Sequence, residues 1–137
     1  MNHLDIVIPA HPDETARVTE DIADILRAQE FSEEAVLDVQ LAVEEVIVNI
    51  IKHGYRGKEG SIGVCCKASP EKATIVISDS APAFNPLSLP EPDVTLGIEE
   101  RGIGGLGIFL VRRVMDIVTY QHKNHKNILT LVKVKRE

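Results

Sequence analysis

The sequence predicts an α+β domain, a two-layer α/β sandwich whose mixed, mainly antiparallel sheet carries helices on one face. Three observations lead there. Ser61 to Ala68 and Ala73 to Ser78 are apolar segments joined by the turn Ser69 to Lys72, and Ile117 to His122 with Ile128 to Val134 repeats the pattern, giving two antiparallel hairpins. Helical periodicity fills the stretches before and between the hairpins, instead of alternating with single strands as in a doubly wound parallel sheet. A chain of 137 residues supports one core and not two, so residues 1–137 read as a single domain.

Leu4 to Ile8 alternates about Ile6 and Ile8, a short strand that Pro9 and Pro12 terminate. Asp13 stands where it can cap the following helix. From Glu14 to Gln29, Ala16, Val18, Ile22, Ala23, Ile25 and Leu26 recur at three- and four-residue spacing, the pattern of a packing helix with one buried stripe. Ser32 offers a capping hydroxyl and Glu33 and Glu34 acids for a first turn, so a second helix runs to about His53. The first hairpin then ends in Asp79. Ser80 to Arg101 holds Pro82, Pro86, Pro90, Pro92 and Gly97 with little periodicity, so no regular element is expected. A loop this long inside a compact domain tends to be a lid or binding loop. The run Gly102 to Gly107 closes it, and Leu106, Leu110, Val111, Val114 and Met115 continue it as an amphipathic helix. The last hairpin turns through the polar residues Lys123 to Asn127.

The composition excludes several classes of function. A net charge of −6 argues against direct nucleic-acid binding, which needs a basic stripe, and Lys133 to Arg136 reads as a solvated strand end. No apolar run approaches the roughly 20 residues of a membrane span, and the amino terminus lacks a signal-peptide pattern, so the expected location is cytoplasmic. Cys65 and Cys66 are adjacent and point to opposite faces of a strand, which indicates packing residues and no disulfide framework. Neither a G-x-S-x-G elbow nor a P-loop ending is present.

The second helix carries the chemistry. At about 100° per residue, Val36, Val39, Val43, Val46, Ile47 and Ile50 share one face, and Asp38, Glu45, Asn49, Lys52 and His53 fall opposite. Glu45 and Asn49 lie one turn apart and can point together at a polyanion, whereas Glu44 faces elsewhere. An amide oxygen suits Mg²⁺ and a carboxylate suits proton abstraction, although the pair fits an exposed polar face equally well. Asp79 can accept from an exocyclic amine or cap a turn, and His53 fits a helix-end cation. Gly102, Gly104 and Gly107 match G-x-G-x-x-G, but no strand precedes them and no acid follows at ribose distance, so the dinucleotide reading is rejected. Glycines at a helix start still expose N–H groups to phosphate, or serve only as a turn.

Taken in order, Glu45-x-x-x-Asn49-x-x-x-His53-Gly54-Tyr55, then Asp79 with Pro82, Phe84 and Pro86, then Gly104 through Asp116, resemble the histidine-kinase-like (GHKL) ATPase superfamily. More closely, they look like its small anti-sigma-factor serine/threonine kinases. The resemblance covers essentially the whole chain. It implies the Bergerat ATP-binding fold, ATP and Mg²⁺ as cofactors, and an ATP lid over about residues 80–103. It further implies Glu45 as general base, Asn49 as Mg²⁺ ligand, Asp79 as adenine contact, and Gly104, Gly105 and Gly107 as phosphate-proximal backbone. Arg101 and Gly102 at the lid's end, with His53, Ala81, Phe84 and Leu106, are the further nucleotide-binding positions. The implied activity passes the γ-phosphate of ATP to a serine of an anti-sigma-factor antagonist, while the same chain sequesters a sigma factor and forms a homodimer. Ala81 and Asn85 depart from the family pattern, in which Asp-x-Gly and an Asp before the second proline are usual. A nucleotide-binding partner switch without kinase activity is therefore the alternative.

Overall fold

In a computed structural model, the chain is described over residues 3–88 and 105–136. It forms β1 (His3–Pro9), α1 (Thr15–Ala28), α2 (Glu33–Asn49), β2 (Ser61–Ala68), β3 (Lys72–Asp79), α3 (Gly105–Val114), β4 (Ile117–Lys123) and β5 (Lys126–Val134). The strands make one sheet in the order β1-β2-β3-β5-β4. The sheet, expected to be mixed and mainly antiparallel, is antiparallel in every pair among the described residues. Period-two alternation sends Ile62, Val64, Ile75, Ile77, Leu129 and Leu131 to the helical face, where they are buried, while Cys65, Val76 and Thr130 on the other face stay partly exposed.

The helices cover the buried face as one layer, with α2 packed between α1 and α3. That position explains why α2 is apolar nearly all round. Val36, Val39, Val43 and Ile47 have no exposed surface, and a fully buried aliphatic side chain of this size contributes roughly 1.5–3 kcal/mol. Ser32 caps α2 as expected, accepting from the Ala35 N–H at 3.1 Å. The start of α1 differs from expectation. Asp13 caps nothing, because a 3-10 turn at Pro12–Glu14 leads into the helix and His11 Nδ1 accepts the Asp13 N–H.

The end of α2 also differs. The helix expected to reach His53 ends at Asn49 and continues as a widened π turn, Ile50–Gly54, closed by Tyr55 N–H donating to Ile50 O at 2.8 Å. In the second hairpin the turn is only Asn124 and His125, both left-handed at φ 54° and 63°. Two such residues match the right-handed strand twist. Lys126 and Asn127, expected in the turn, therefore belong to β5.

The basic strand end is also not solvated as expected. Lys133 is buried, and its Nζ donates to Asp38 Oδ2 at 3.0 Å and to Val114 O at 2.6 Å. Asp38, read as part of the polar face of α2, thus serves as an internal partner. Lys135 Nζ donates to Gln29 O, and Arg136 pairs with Asp116. Both cysteines are free, with Cys66 buried and Cys65 on the open face. No helix among the described residues is long and apolar enough to cross a membrane.

Candidate functional site

The α2/α3 contact brings together groups that are 62 residues apart in sequence. Glu45, half-buried on α2, lies against the first turn of α3. A Cβ built on Gly107 would sit 2.5 Å from Glu45 Oε2, so the carboxylate fills the space that any side chain at 107 would need. Glu44 is exposed, as the helical wheel predicts for a bystander.

One turn beyond Glu45, Asn49 Oδ1 is buried with no hydrogen-bond partner among the described residues. Leaving a buried acceptor unmet costs about 1–3 kcal/mol, so this oxygen is set for a donor or a cation. An amide oxygen is a suitable hard ligand, and Mg²⁺ usually completes its shell from water and phosphate oxygens rather than an all-protein cage. The residues present fit such an ion. No cluster of three or more His, Cys, Asp or Glu suited to a metal occurs among the described residues.

Asp79 ends β3 and is buried, paired in register with Ile62 on one side and Asn127 on the other. Its Oδ1 accepts from the Ala81 N–H and from Asn127 Nδ2, both at 2.9 Å. Asn127 Nδ2 also donates to Ala81 O at 3.0 Å and Pro82 O at 3.2 Å. Its Oδ1 accepts from the Phe84 N–H at 3.1 Å and the Tyr120 hydroxyl at 2.5 Å. Tyr55 holds the preceding residue, accepting from the Ser80 N–H at 2.8 Å and donating to Ser61 O at 2.7 Å. Its ring lies over Gly60, where a Cβ would collide with the ring.

Between these groups is one pocket. Asn49, Asp79 and Asn127 supply its polar lining, while Val46, Ile50, Ile108, Leu129 and the ring of Tyr120 supply apolar walls and Pro82, Phe84 and Pro86 a rim. A mostly apolar slot with a few converging polar groups is the usual form of a small-ligand site. Of the residues anticipated from sequence, Asn49, Asp79 and Phe84 line it, and Glu45 with Gly107 stands at the α2/α3 junction beside it. His53 and Ala81 instead line an outer cleft with Lys52 and Arg56. Burial, and then the Lys52 charge, push the His53 imidazole below its ordinary pKa and favour its neutral form.

Ala81 is buried, and a Cβ on Gly54 would stand 3.2 Å from the Ala81 Cβ. The methyl that departs from the glycine pattern therefore packs over Gly54, and Ala81 is absent from the pocket lining. Gly105 and Leu106 form the first turn of α3. Arg101, Gly102 and Gly104 lie outside the described residues, as does the proposed lid beyond Ser88. Within that loop, Pro86–Ser88 makes one 3-10 turn where no regular element was expected. Asn127 and Tyr120 escaped the sequence reading, and the only local hint was an asparagine directly before an alternating strand.

The family model described as histidine kinase-like ATPase domain matches residues 8–133. The serine-protein kinase RsbW of Listeria monocytogenes is 32% identical over 120 residues, covering 84% of this chain and 76% of that one. The RsbW of Bacillus mycoides is 23% identical over 138 residues, covering 98% and 86%. Among solved structures, the RsbU and RsbW domains of a Mycobacterium tuberculosis protein superpose with a TM-score of 0.66 at 14% identity, which is a likeness of fold. That match covers 99% of this chain and 33% of the solved one, so the present chain spans about a third of it. On the match over residues 8–133 and the likeness to RsbW, the chain belongs to the histidine-kinase-like ATPase family.

Proposed function

We propose that this chain is an ATP-dependent protein serine kinase of the anti-sigma-factor type, which phosphorylates a serine on an anti-sigma-factor antagonist and alternately sequesters a sigma factor. The observation that carries the reading is the orphaned Asn49 Oδ1, with Glu45 one turn away against the glycine start of α3. Asn49 would hold Mg²⁺, which supplies charge neutralisation of the phosphates when bound. Gly105 and Gly107 turn the amino end of a ten-residue helix toward the phosphates, and Gly104, Arg101 and Gly102 join them on the sequence pattern alone. Asp79 takes the adenine amine, Phe84 flanks the nucleotide, Leu106 joins it on the sequence pattern alone, and His53 and Ala81 border it from the outer cleft. Glu45 accepts the proton of the acceptor serine as its oxygen bonds to the γ-phosphorus, and ADP leaves with the bridging oxygen.

The reading includes a homodimer, a cytoplasmic location and no contact with nucleic acid or membrane. The alternative, a nucleotide-binding partner switch without kinase activity, rests on Ala81 and Asn85; that the Ala81 methyl packs over Gly54, outside the pocket lining, supports the kinase reading. The test is purified protein with ATP, Mg²⁺ and the cognate antagonist. Phosphoserine should form with wild type and fall at least a hundredfold with Glu45→Gln, while ADP binding persists. Wild type that binds ATP yet yields no phosphoserine would refute the kinase reading.

A further inference from the structure

We infer that Asn127 is a positioning residue that locks the base acceptor Asp79 and the residues that follow it, Ala81 to Phe84, into one unit. The inference rests on the reading of Asp79 as the adenine contact. Asn127 is buried, at 7% exposure, and every polar atom it has is engaged. Its Oδ1 uses both lone pairs on Phe84 N–H and Tyr120 O–H, and its Nδ2 serves Asp79 Oδ1, Ala81 O and Pro82 O. The amide orientation is fixed by its partners. Reversed, its oxygen would face three acceptors and its NH₂ would face the Phe84 N–H.

The consequence concerns which oxygen of Asp79 meets the ligand. Oδ1 is fully used by Ala81 N–H and Asn127 Nδ2, and Oδ2 has no hydrogen bond among the described residues. Asp79 lines the pocket, and a carboxylate there with one oxygen left unbonded accepts from the exocyclic amine of adenine and repels the carbonyl oxygen that guanine carries at the same place. Because the same Asn127 amide holds Ala81, Pro82 and Phe84, the base acceptor and these residues cannot shift independently. Ser80, bonded through its N–H to Tyr55, is their second anchor.

ADP·Mg²⁺ and GDP·Mg²⁺ binding is measured calorimetrically for wild type, Asn127→Leu and Asn127→Asp at pH 7.5 and 5.5. Failure of wild type to bind ADP would count against the proposed function, and the variants speak to Asn127 only above that baseline. The titratable groups facing Asn127 are Asp79 from β3 and Tyr120 and His122 from β4, while α2 offers the uncharged Asn49 and aliphatic side chains. Asn127→Leu should weaken ADP at least tenfold at both pH values and narrow its preference over GDP. Asn127→Asp sets two carboxylates face to face, so its deficit should be tenfold or more at pH 7.5. At pH 5.5 a shared proton restores a donor toward Asp79, and the deficit relative to wild type should shrink to threefold or less.

Binding by both variants within twofold of wild type would overturn the inference, as would an equal deficit for Asn127→Asp at the two pH values. Should either variant fail to fold, hydrogen exchange of wild type decides. The Ala81 and Phe84 amides, bonded to Asp79 and Asn127, should slow together by the same factor when ADP is added. Slowing of Ala81 without Phe84 would overturn the coupling.

Discussion

Replacing Gly107 with alanine should separate stability from catalysis, and the two should move in opposite directions. The new Cβ would stand 2.5 Å from Glu45 Oε2, closer than such atoms approach, so the carboxylate must retreat. Side-chain ends move cheaply, and alanine gains up to about 1 kcal/mol over glycine in a helix. The melting temperature should therefore hold steady or rise by about 3 °C. The retreat is about 0.5 Å or more, and since a 1 Å misplacement of a reacting group costs on the order of a hundredfold, the expected loss in kcat is about tenfold. Gly107→Val should deepen the loss in kcat because its branch pushes further. The assay is single-turnover phosphate transfer from saturating ATP to the antagonist, beside a thermal melt of the same preparation. A folded Gly107→Ala with wild-type kcat would mean that Glu45 does not act from its place against α3.

Asn49→Ala removes the orphaned oxygen and leaves a small void, so stability without ligand should stay within about 1 kcal/mol of wild type. ADP·Mg²⁺ should no longer raise its melting temperature, and a wild-type rise would refute Asn49 as the ion's ligand. Lys133→Ala leaves the Asp38 carboxylate and the Val114 carbonyl unpaired, and urea titration should show a loss of about 2–4 kcal/mol. A loss no larger than that of an exposed lysine would deny the internal pair. Burial, and then Cys65, push the Cys66 thiol from 9.0 up to about 12. The folded value lies above the unfolded one, so this contribution is complete below about pH 9 and disappears as pH rises toward 12. Urea midpoints at pH 8 and 10 should fall more in wild type than in Cys66→Val, and equal falls would refute the shift.

Much of the fold was legible because it rests on local pattern. Ser32 with its two acids marks the start of α2, and strand alternation from Ser61 and from Lys72 sets the face that α2 covers. The failures share a cause, which is that partners distant in sequence decide a polar residue's fate. Lys133 reads as solvated because its neighbours are basic, yet its partner Asp38 is 95 positions away. The π turn after Asn49 leaves no sign in the local pattern, and Tyr55, which closes it, is bonded to Ser61 and Ser80 on other elements.

The site divides along the same line. Glu45 and Asn49 were legible as a pair because helical geometry fixes their relation whatever the tertiary structure does. What distinguishes them from an exposed polar face is tertiary: Gly107 of α3 has no side chain to displace Glu45, and the Asn49 oxygen is buried. Asn127 stands at the other extreme. Its five partners lie between 7 and 48 positions away, on β3, β4 and the segment after Asp79, and none is foreshadowed by the polar turn it follows. An asparagine in such a setting reads as a turn residue by composition, and only the register of β5 against β3, which places it opposite Asp79, turns it inward. That register is itself held by burial, since Leu129 and Leu131 follow Asn127 on the same face of β5 and a slip of one residue would expose all three.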